Sequence, residues 1–229
     1  MENLPKGYTL EIPPGGFPLS TDSMALAHFA RLPGKARVLD LGSGCGTLGL
    51  LLCAADDSCH VTGVELDAHA HNAAVENIRR NGLNNRMESI CTDLRDVPRL
   101  FPSGSFTCLI SNPPYFSGGA FSRTLPDARQ ENTCTLSDLM KSATWALKYG
   151  GDFFLVHKPE RLGEIIAKAS LNGLEAKRLH LLRHKENGPI TLILLQLRKG
   201  GKPGLTISEA ALFDLSGDPT PYYTEVYHL

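Results

Sequence analysis

VLDLGSGCGTLG, residues Val38 to Gly49, is the stretch whose reading decides the fold. It opens as an apolar run ending in the acid Asp40, passes through glycines at 42, 44 and 46, and becomes helical at about Thr47. A strand that turns through glycines into a helix lets the backbone approach a ligand closely at the strand's carboxyl end. Two ligand classes fit. Gly44, Gly46 and Gly49 make the GxGxxG of a dinucleotide site, and Asp40 with Gly42, Gly44 and Gly46 makes the DxGxGxG of an S-adenosylmethionine site. The glycines alone do not choose between them.

Outward from this loop, β-rich runs alternate with helical stretches, the pattern of a parallel sheet with helices on its faces. The expected strands are Ala36 to Leu41, His60 to Glu65, Arg86 to Cys91, Ser105 to Ile110 and Gly151 to His157. Helices are expected over Leu66 to Asn81 with Gly82 as C-cap, over Leu136 to Tyr149 closed by Gly150 and Gly151, and from Pro159 to Asn172. Leu174 to Leu182 and Pro189 to Arg198, separated by the polar turn RHKENG, read as a terminal antiparallel hairpin. Ser20, Thr21 and Asp22 offer caps for a helix carrying Met24, Leu26, Ala27 and Phe29, and the tail after Lys202 shows little periodicity.

The 229 residues, 42% hydrophobic and 21% charged with a net charge of -1, suit one folded domain. It is expected to span 1–229, with a cover segment at 1–35, a catalytic core at 36–200 and a tail at 201–229. The longest apolar run, Leu48 to Ala55, is about half of what a membrane span needs. Glu2 and Pro5 stand where a secretory signal would be basic and then apolar, so a soluble cytoplasmic protein is expected. Six cysteines without a CxxC pair read as reduced thiols, and His69 and His71 face different directions, so no metal site is expected. Near-zero net charge argues against coating nucleic acid non-specifically and leaves room for a local basic patch.

Acids at strand ends carry the next step. Glu65 closes the second strand, where a carboxylate accepts both ribose hydroxyls, and Asp93 follows the third, suited to the exocyclic amine of an adenine. Acids on three successive strand ends converge on one crevice. The fourth strand runs into Ser111-Asn112-Pro113-Pro114-Tyr115-Phe116. Successive prolines remove backbone donors, so this loop presents acceptors, the Asn112 amide oxygen and the Pro113 carbonyl. Two acceptors match the two hydrogens of an NH2 group, and fixing them aims the nitrogen lone pair at an electrophilic methyl. Tyr115 adds a face on which a planar amide or base stacks.

Together, DLGSGCG, VELD, TDL and NPPY resemble the motif series of class I S-adenosylmethionine-dependent amino-methyltransferases, over roughly residues 17 to 157. More narrowly, GFPLSTDSMALAHFA, RKGGKPGL and the ending YTEVYHL resemble the bacterial tRNA1(Val) adenine-37 N6-methyltransferases. The resemblance implies a Rossmann-like α/β fold with a mostly parallel seven-stranded sheet, helices on both faces and a C-terminal antiparallel hairpin. It implies that Asp40, Gly42, Ser43, Gly44 and Gly46 hold the methionine part of S-adenosylmethionine and that Glu65, beside Leu66, holds the ribose. It further implies that Asp93 with Leu94 holds the adenine, that Asn112 to Tyr115 are catalytic, and that Thr21 and Asp22 close over the methionine end. Methyl transfer is then direct. Ring-carbon methylation would need a nucleophilic thiolate, and no cysteine adjoins Asn112.

The expected substrate is RNA, most specifically tRNA, and the expected state a monomer. Arg123 and Arg129 after the catalytic motif, with Arg183, Lys185, Lys199 and Lys202 in the hairpin region, are candidates to track phosphates along the catalytic edge. The same NPPY chemistry also suits a glutamine-N5 methyltransferase of release factors, which usually adds an N-terminal helical domain; only about 35 residues precede the first strand here. A DNA adenine methyltransferase would commonly add a recognition domain. A nicotinamide oxidoreductase would leave Asp93 and NPPY idle. A non-catalytic RNA-binding module would show broken motifs, and all four are intact.

Overall fold

A computed structural model describes residues 1–16, 18–113 and 134–227. A short antiparallel pair, β1 (Glu2–Asn3) and β2 (Thr9–Leu10), precedes α1 (Thr21–Phe29). Then follow β3 (Arg37–Leu41), α2 (Thr47–Ala55), β4 (His60–Glu65), α3 (Ala68–Arg80), β5 (Met87–Cys91), α4 (Val97–Leu100), β6 (Phe106–Ser111) and α5 (Leu136–Ala146). The chain continues as β7 (Leu147–His157), α6 (Leu162–Leu171), β8 (Leu174–Lys185), β9 (Ile190–Lys199), β10 (Thr206–Phe213) and α7 (Pro221–Tyr227). Among the described residues no helix is long and apolar enough to cross a membrane.

The main sheet has the order β10-β8-β9-β7-β6-β3-β4-β5. Its pairings are parallel except those of β9, which runs antiparallel to β7 and β8. From β3 the chain winds outward through β4 and β5, then returns to place β6 on the other side. That reversal between β3 and β6 opens a crevice at the carboxyl ends of the strands.

Each face of the sheet has its own apolar core. Met24, Leu26 and Phe29 of α1, Leu50 and Leu51 of α2, Ile78 of α3 and Val226 of α7 cover one face. Val97 of α4, Leu139 and Met140 of α5 and Ile165 of α6 cover the other. Phe153 and Phe154, consecutive and fully buried, point to opposite faces because strand side chains alternate. Burial of each contributes roughly 1.5–3 kcal/mol.

Local chemistry sets the helix ends. Ser20 accepts from the Ser23 N–H to cap α1, Asp67 caps α3, and Thr135 and Asp138 form a reciprocal capping box on α5. Two asparagines one turn apart, Asn77 on α3 and Asn81 at its C-cap, fasten the N-terminal segment. Asn81 exchanges two hydrogen bonds with the backbone of Thr9, and fully buried Asn77 accepts from Glu11 N–H while donating to the carbonyls of Glu11 and Cys45.

The α/β class, the parallel core and the antiparallel hairpin match the expectation, and three details differ. The sheet has eight strands rather than seven, because β10, in the tail left open by its weak periodicity, adds itself parallel to β8. The helix expected to reach Tyr149 ends at Ala146, and Leu147 already pairs with Phe106. Gly150 and Gly151 therefore lie inside β7 at a register shift, where a Cβ on Gly151 would stand 2.8 Å from the Thr107 carbonyl. Pro159 opens a 3-10 turn ahead of α6 rather than the helix itself.

Candidate active site

The glycine loop folds back on β4. Gly42 and Ser43 N–H both donate to the Val64 carbonyl at 3.0 Å, and Gly44 N–H donates to Glu65 Oε2 at 2.8 Å. Gly42 and Gly44 have φ of +75° and +55°, a region that disfavours side chains, and a Cβ on either would meet nothing within 4 Å. That open space is a cradle. Gly49 has a different reason to be glycine: its Cβ would stand 2.3 Å from Met87 Cε, so it lets α2 pack closely on the sheet.

Asp40 ends in the middle of the sheet, paired with Gly63 of β4 and Ile110 of β6. It is fully buried, and neither carboxylate oxygen has a hydrogen-bond partner among the described residues. Burial first, and the nearby Glu65 charge second, push its pKa up to about 8. A buried carboxyl without a partner is costly and suits a site that receives a cation. The cradle and this orphaned acid fit a ligand with a charged amino-acid end.

Glu65 is half-buried at the end of β4 and braces the site. Its Oε1 accepts from Asp67 N–H at 2.9 Å at the start of α3, opposite the Gly44 bond. Leu66 beside it is exposed and offers apolar surface. Asp93 follows β5, caps a 3-10 turn over Leu94–Asp96, and is clamped by the Arg95 backbone N–H and guanidinium. That hydrogen-bonded ion pair holds its carboxyl below the usual range. The Leu94 side chain packs into the α5 face of the core, and its carbonyl accepts from the Ser142 hydroxyl at 2.9 Å.

Asn112 follows β6 beside the switch point. Its amide Nδ2 donates to Ser23 Oγ at 3.1 Å, and Oδ1 has no partner among the described residues. Ser23 is 8% exposed on the first turn of α1. The neighbouring Ser111 hydroxyl donates to the Leu41 carbonyl at 2.7 Å and ties the ends of β6 and β3 together. Pro113 is buried; Pro114 and Tyr115 lie outside the described residues, as do Arg123 and Arg129. Thr21, two residues before Ser23 on α1, has its hydroxyl bonded to Tyr227 OH at 2.6 Å, which fixes α1 to α7. Burial raises the Asp22 pKa, and the Lys158 ammonium pulls it partly back.

Ser23 is the residue that sequence reading passed over. It follows the candidate capping residues Ser20 to Asp22 and carries no motif of its own, and its partner is 89 positions away.

The basic candidates divide. Arg183 and Lys185 lie near the carboxyl end of β8, on the crevice side; Arg183 donates to the Gly188 carbonyl and meets Glu209. Lys199 and Lys202 do not line that edge. Because β9 runs antiparallel, its end returns to the opposite side of the sheet. There Lys199 Nζ donates to the Thr144 and Leu147 carbonyls at 2.6 and 2.8 Å, closing the end of α5, and the Lys202 carbonyl accepts from Lys177.

Comparison with known proteins agrees with this geometry. A family model described as "Methyltransferase small domain" matches residues 21–176. The tRNA1(Val) (adenine(37)-N6)-methyltransferase of Photobacterium profundum is 30% identical over 207 residues, 88% of this chain and 86% of that protein. That of Tolumonas auensis is 32% identical over 197 residues, 83% of this chain and 79% of that one. Among solved structures, a "predicted O-methyltransferase" from Agrobacterium tumefaciens superposes with a TM-score of 0.76 at 21% identity, covering 91% of this chain and 96% of that one. At that identity it attests the fold alone. The glycine cradle, the strand-end acids and these relatives lead to one assignment: the chain belongs to the methyltransferase small-domain family, in the branch of the tRNA1(Val) (adenine(37)-N6)-methyltransferases.

Proposed function

We propose that this chain transfers a methyl group from S-adenosylmethionine to the N6 amine of an adenine in tRNA, working as a single cytoplasmic, monomeric unit. The observation that carries the reading is Asn112, with its NH2 held by Ser23 and its carbonyl oxygen left to accept from a substrate amine. The relatives' substrate supplies the adenine and the tRNA.

When bound, S-adenosylmethionine supplies an electrophilic methyl group. The open faces of Gly42 and Gly44 and the Asp40 carboxyl would hold its amino-acid end, Glu65 its ribose, and Asp93 with Leu94 its adenine. Asn112 Oδ1 and the Pro113 carbonyl hold the two hydrogens of the target amine, so the nitrogen lone pair points along one line. Holding reactants in one geometry lowers the barrier without any covalent enzyme adduct. Tyr115 would stack on the extruded base. Arg183, Lys185, Arg123 and Arg129 would meet the strand that carries it.

The deciding experiment offers labelled cofactor to total tRNA, ribosomal RNA, DNA and a release factor side by side, followed by nucleoside analysis. The expected product is N6-methyladenosine from tRNA. Label in the release factor alone overturns the reading.

Ser23 acts here as a positioning residue. Ser23→Ala leaves the Asn112 NH2 without its acceptor, and the amide is free to turn over. A misplaced group of this kind lowers kcat by roughly ten- to a hundredfold. S-adenosylhomocysteine affinity should hold, and Ser23→Thr should restore part of the rate. A loss confined to KM, or equal losses in the Ala and Thr variants, would argue against the role.

Asp40 makes cofactor binding depend on pH. With a free-state pKa of about 8, it is protonated at neutral pH, and a cationic ligand lowers that value. Binding then expels a proton below pH 8, so affinity rises by up to about tenfold per pH unit and levels off above it. Calorimetry from pH 6 to 9 should show this slope in the native protein and lose it in Asp40→Asn.

A further inference from the structure

On the α1 face of the sheet, away from the glycine cradle, a cavity of about 190 Å³ lies between the end of α1, β8, β10 and α7. Its walls include Arg31, Arg178, His180, Ser208 and Tyr222. The sheet register relates it to the catalytic asparagine. Ser111 pairs with Leu155, Val156 with Leu194, and Leu194 with His180, so His180 lies in the row of Asn112, three strands away. At ~4.8 Å per strand that is roughly 14 Å. Helix α1 bridges the gap, with Ser23 at Asn112 and Phe29 at the cavity.

The cavity is cationic and short of compensating acids. The Arg178 guanidinium lies over the Phe29 ring, 4.1 Å from its centroid. Its hydrogen bonds among the described residues are two long ones from Nη1, 3.4 Å to the Phe29 carbonyl and 3.3 Å to Gln196 Oε1. Capping the end of α1 in this way occupies one nitrogen of a group that has five N–H donors. Asp152, the acid that acts on Arg178 electrostatically, is engaged by Arg198 through two 2.8 Å bonds. Arg31 is exposed and has no carboxylate partner among the described residues. The acid at the rim, Glu225, is 3.7 Å from His28 and largely in solvent. Two guanidiniums held near each other without a carboxylate favour an anion between them. His180 is 8% exposed, stacked against Tyr222 at 5.1 Å and joined through Nδ1 to Ser208 Oγ at 2.8 Å, while its Nε2 has no partner among the described residues. Burial, with Arg178 and His28 nearby, lowers the His180 pKa, so the ring is neutral and the arginines carry the charge.

We propose that this cavity binds a backbone phosphate of the RNA strand, a short distance along the chain from the adenine held at Asn112, with Arg31 and Arg178 as its cationic walls. The proposal rests on the RNA reading above and extends it to residues outside the catalytic edge. An extruded base needs its flanking strand fixed, and a phosphate site on the same sheet face at this distance does that without reading sequence.

The test measures tRNA binding by filter retention at several salt concentrations for the native protein, Arg31→Ala and Arg178→Gln, with S-adenosylhomocysteine affinity as the check on folding. Arg31 is exposed, so its variant tests the site even if Arg178→Gln perturbs α1. Each variant should bind tRNA about three- to tenfold more weakly, with the slope of log K against log salt reduced by about 0.7 per lost contact. A role confined to capping α1 would leave that slope alone. If the native protein binds tRNA and both variants match it in affinity and slope, the cavity is not an RNA site while the tRNA reading stands. If the native protein does not bind tRNA, yet inorganic phosphate raises its melting temperature and not that of the double variant, the site takes a free phosphate and both RNA readings fall.

Discussion

Asn112→Ala should reduce methyl transfer by about a thousandfold or more while leaving S-adenosylhomocysteine affinity within a few-fold. Removing one preorganised polar group at a reacting centre costs on the order of 10²–10³ in rate. Here the lost acceptor also sets the direction of the amine's lone pair, which adds an orientation penalty. Among the described residues its side-chain bond goes to Ser23 of α1 and none goes to the glycine loop. The cofactor cradle should therefore survive the substitution. Tritiated methyl incorporation and calorimetric titration on the same variant check both halves. Retained turnover would remove Asn112 from catalysis, and lost cofactor binding would move it into the cradle. Asn112→Asp is an informative companion, because it keeps an acceptor toward the substrate and replaces the donor facing Ser23. An intermediate rate is expected of it.

Glu65→Ala should weaken S-adenosylmethionine binding by roughly a hundredfold or more. Two effects add. A ribose held by two charge-assisted hydrogen bonds loses ~1.5–3 kcal/mol for each. The loop itself also loosens, since Glu65 accepts from Gly44 on one oxygen and from Asp67 on the other. Glu65→Gln separates the two, because an amide oxygen can keep one of those acceptor roles and the carboxylate charge is gone. Isothermal titration should rank affinity as native, then Gln, then Ala. Equal affinity in the native protein and the Ala variant would exclude the ribose role.

Much of the site was readable from residue types because its demands are local. Three glycines at positive φ between a strand and a helix, at 42, 44 and 46, describe a backbone shape that few other residues adopt. Acids at the ends of β3 and β4 and just past β5 are brought together by any parallel sheet wound in this order, whatever the loops do. His60–Glu65 matches its expected bounds, β3 and β5 each start one residue later than expected, and β6 is displaced by one residue at both ends. Their apolar runs are short and sharply bounded, so little competes with the strand reading. The tail had no such signal. Residues 206–213 are exposed over Thr206 to Glu209 and turn partly buried after that, and an edge strand of that kind is specified by its neighbour β8 rather than by its own alternation.

The sequence by itself therefore determined the chemistry: a strand-glycine-helix cradle, acids placed at successive strand ends, and an asparagine ahead of two prolines. These depend on backbone preference and on spacing within a few residues. Tertiary structure alone decided what supports that chemistry and where charge lies around it. Ser23 meets Asn112 across 89 positions, and Thr21 meets Tyr227 across 206. Lys199 is carried to the far edge of the sheet because one strand, β9, runs against the others. Arg178 reaches the cavity beside α1 by the register of β8. Contacts of that kind are set by how strands are ordered and which way each one runs, and no short window of sequence contains that information.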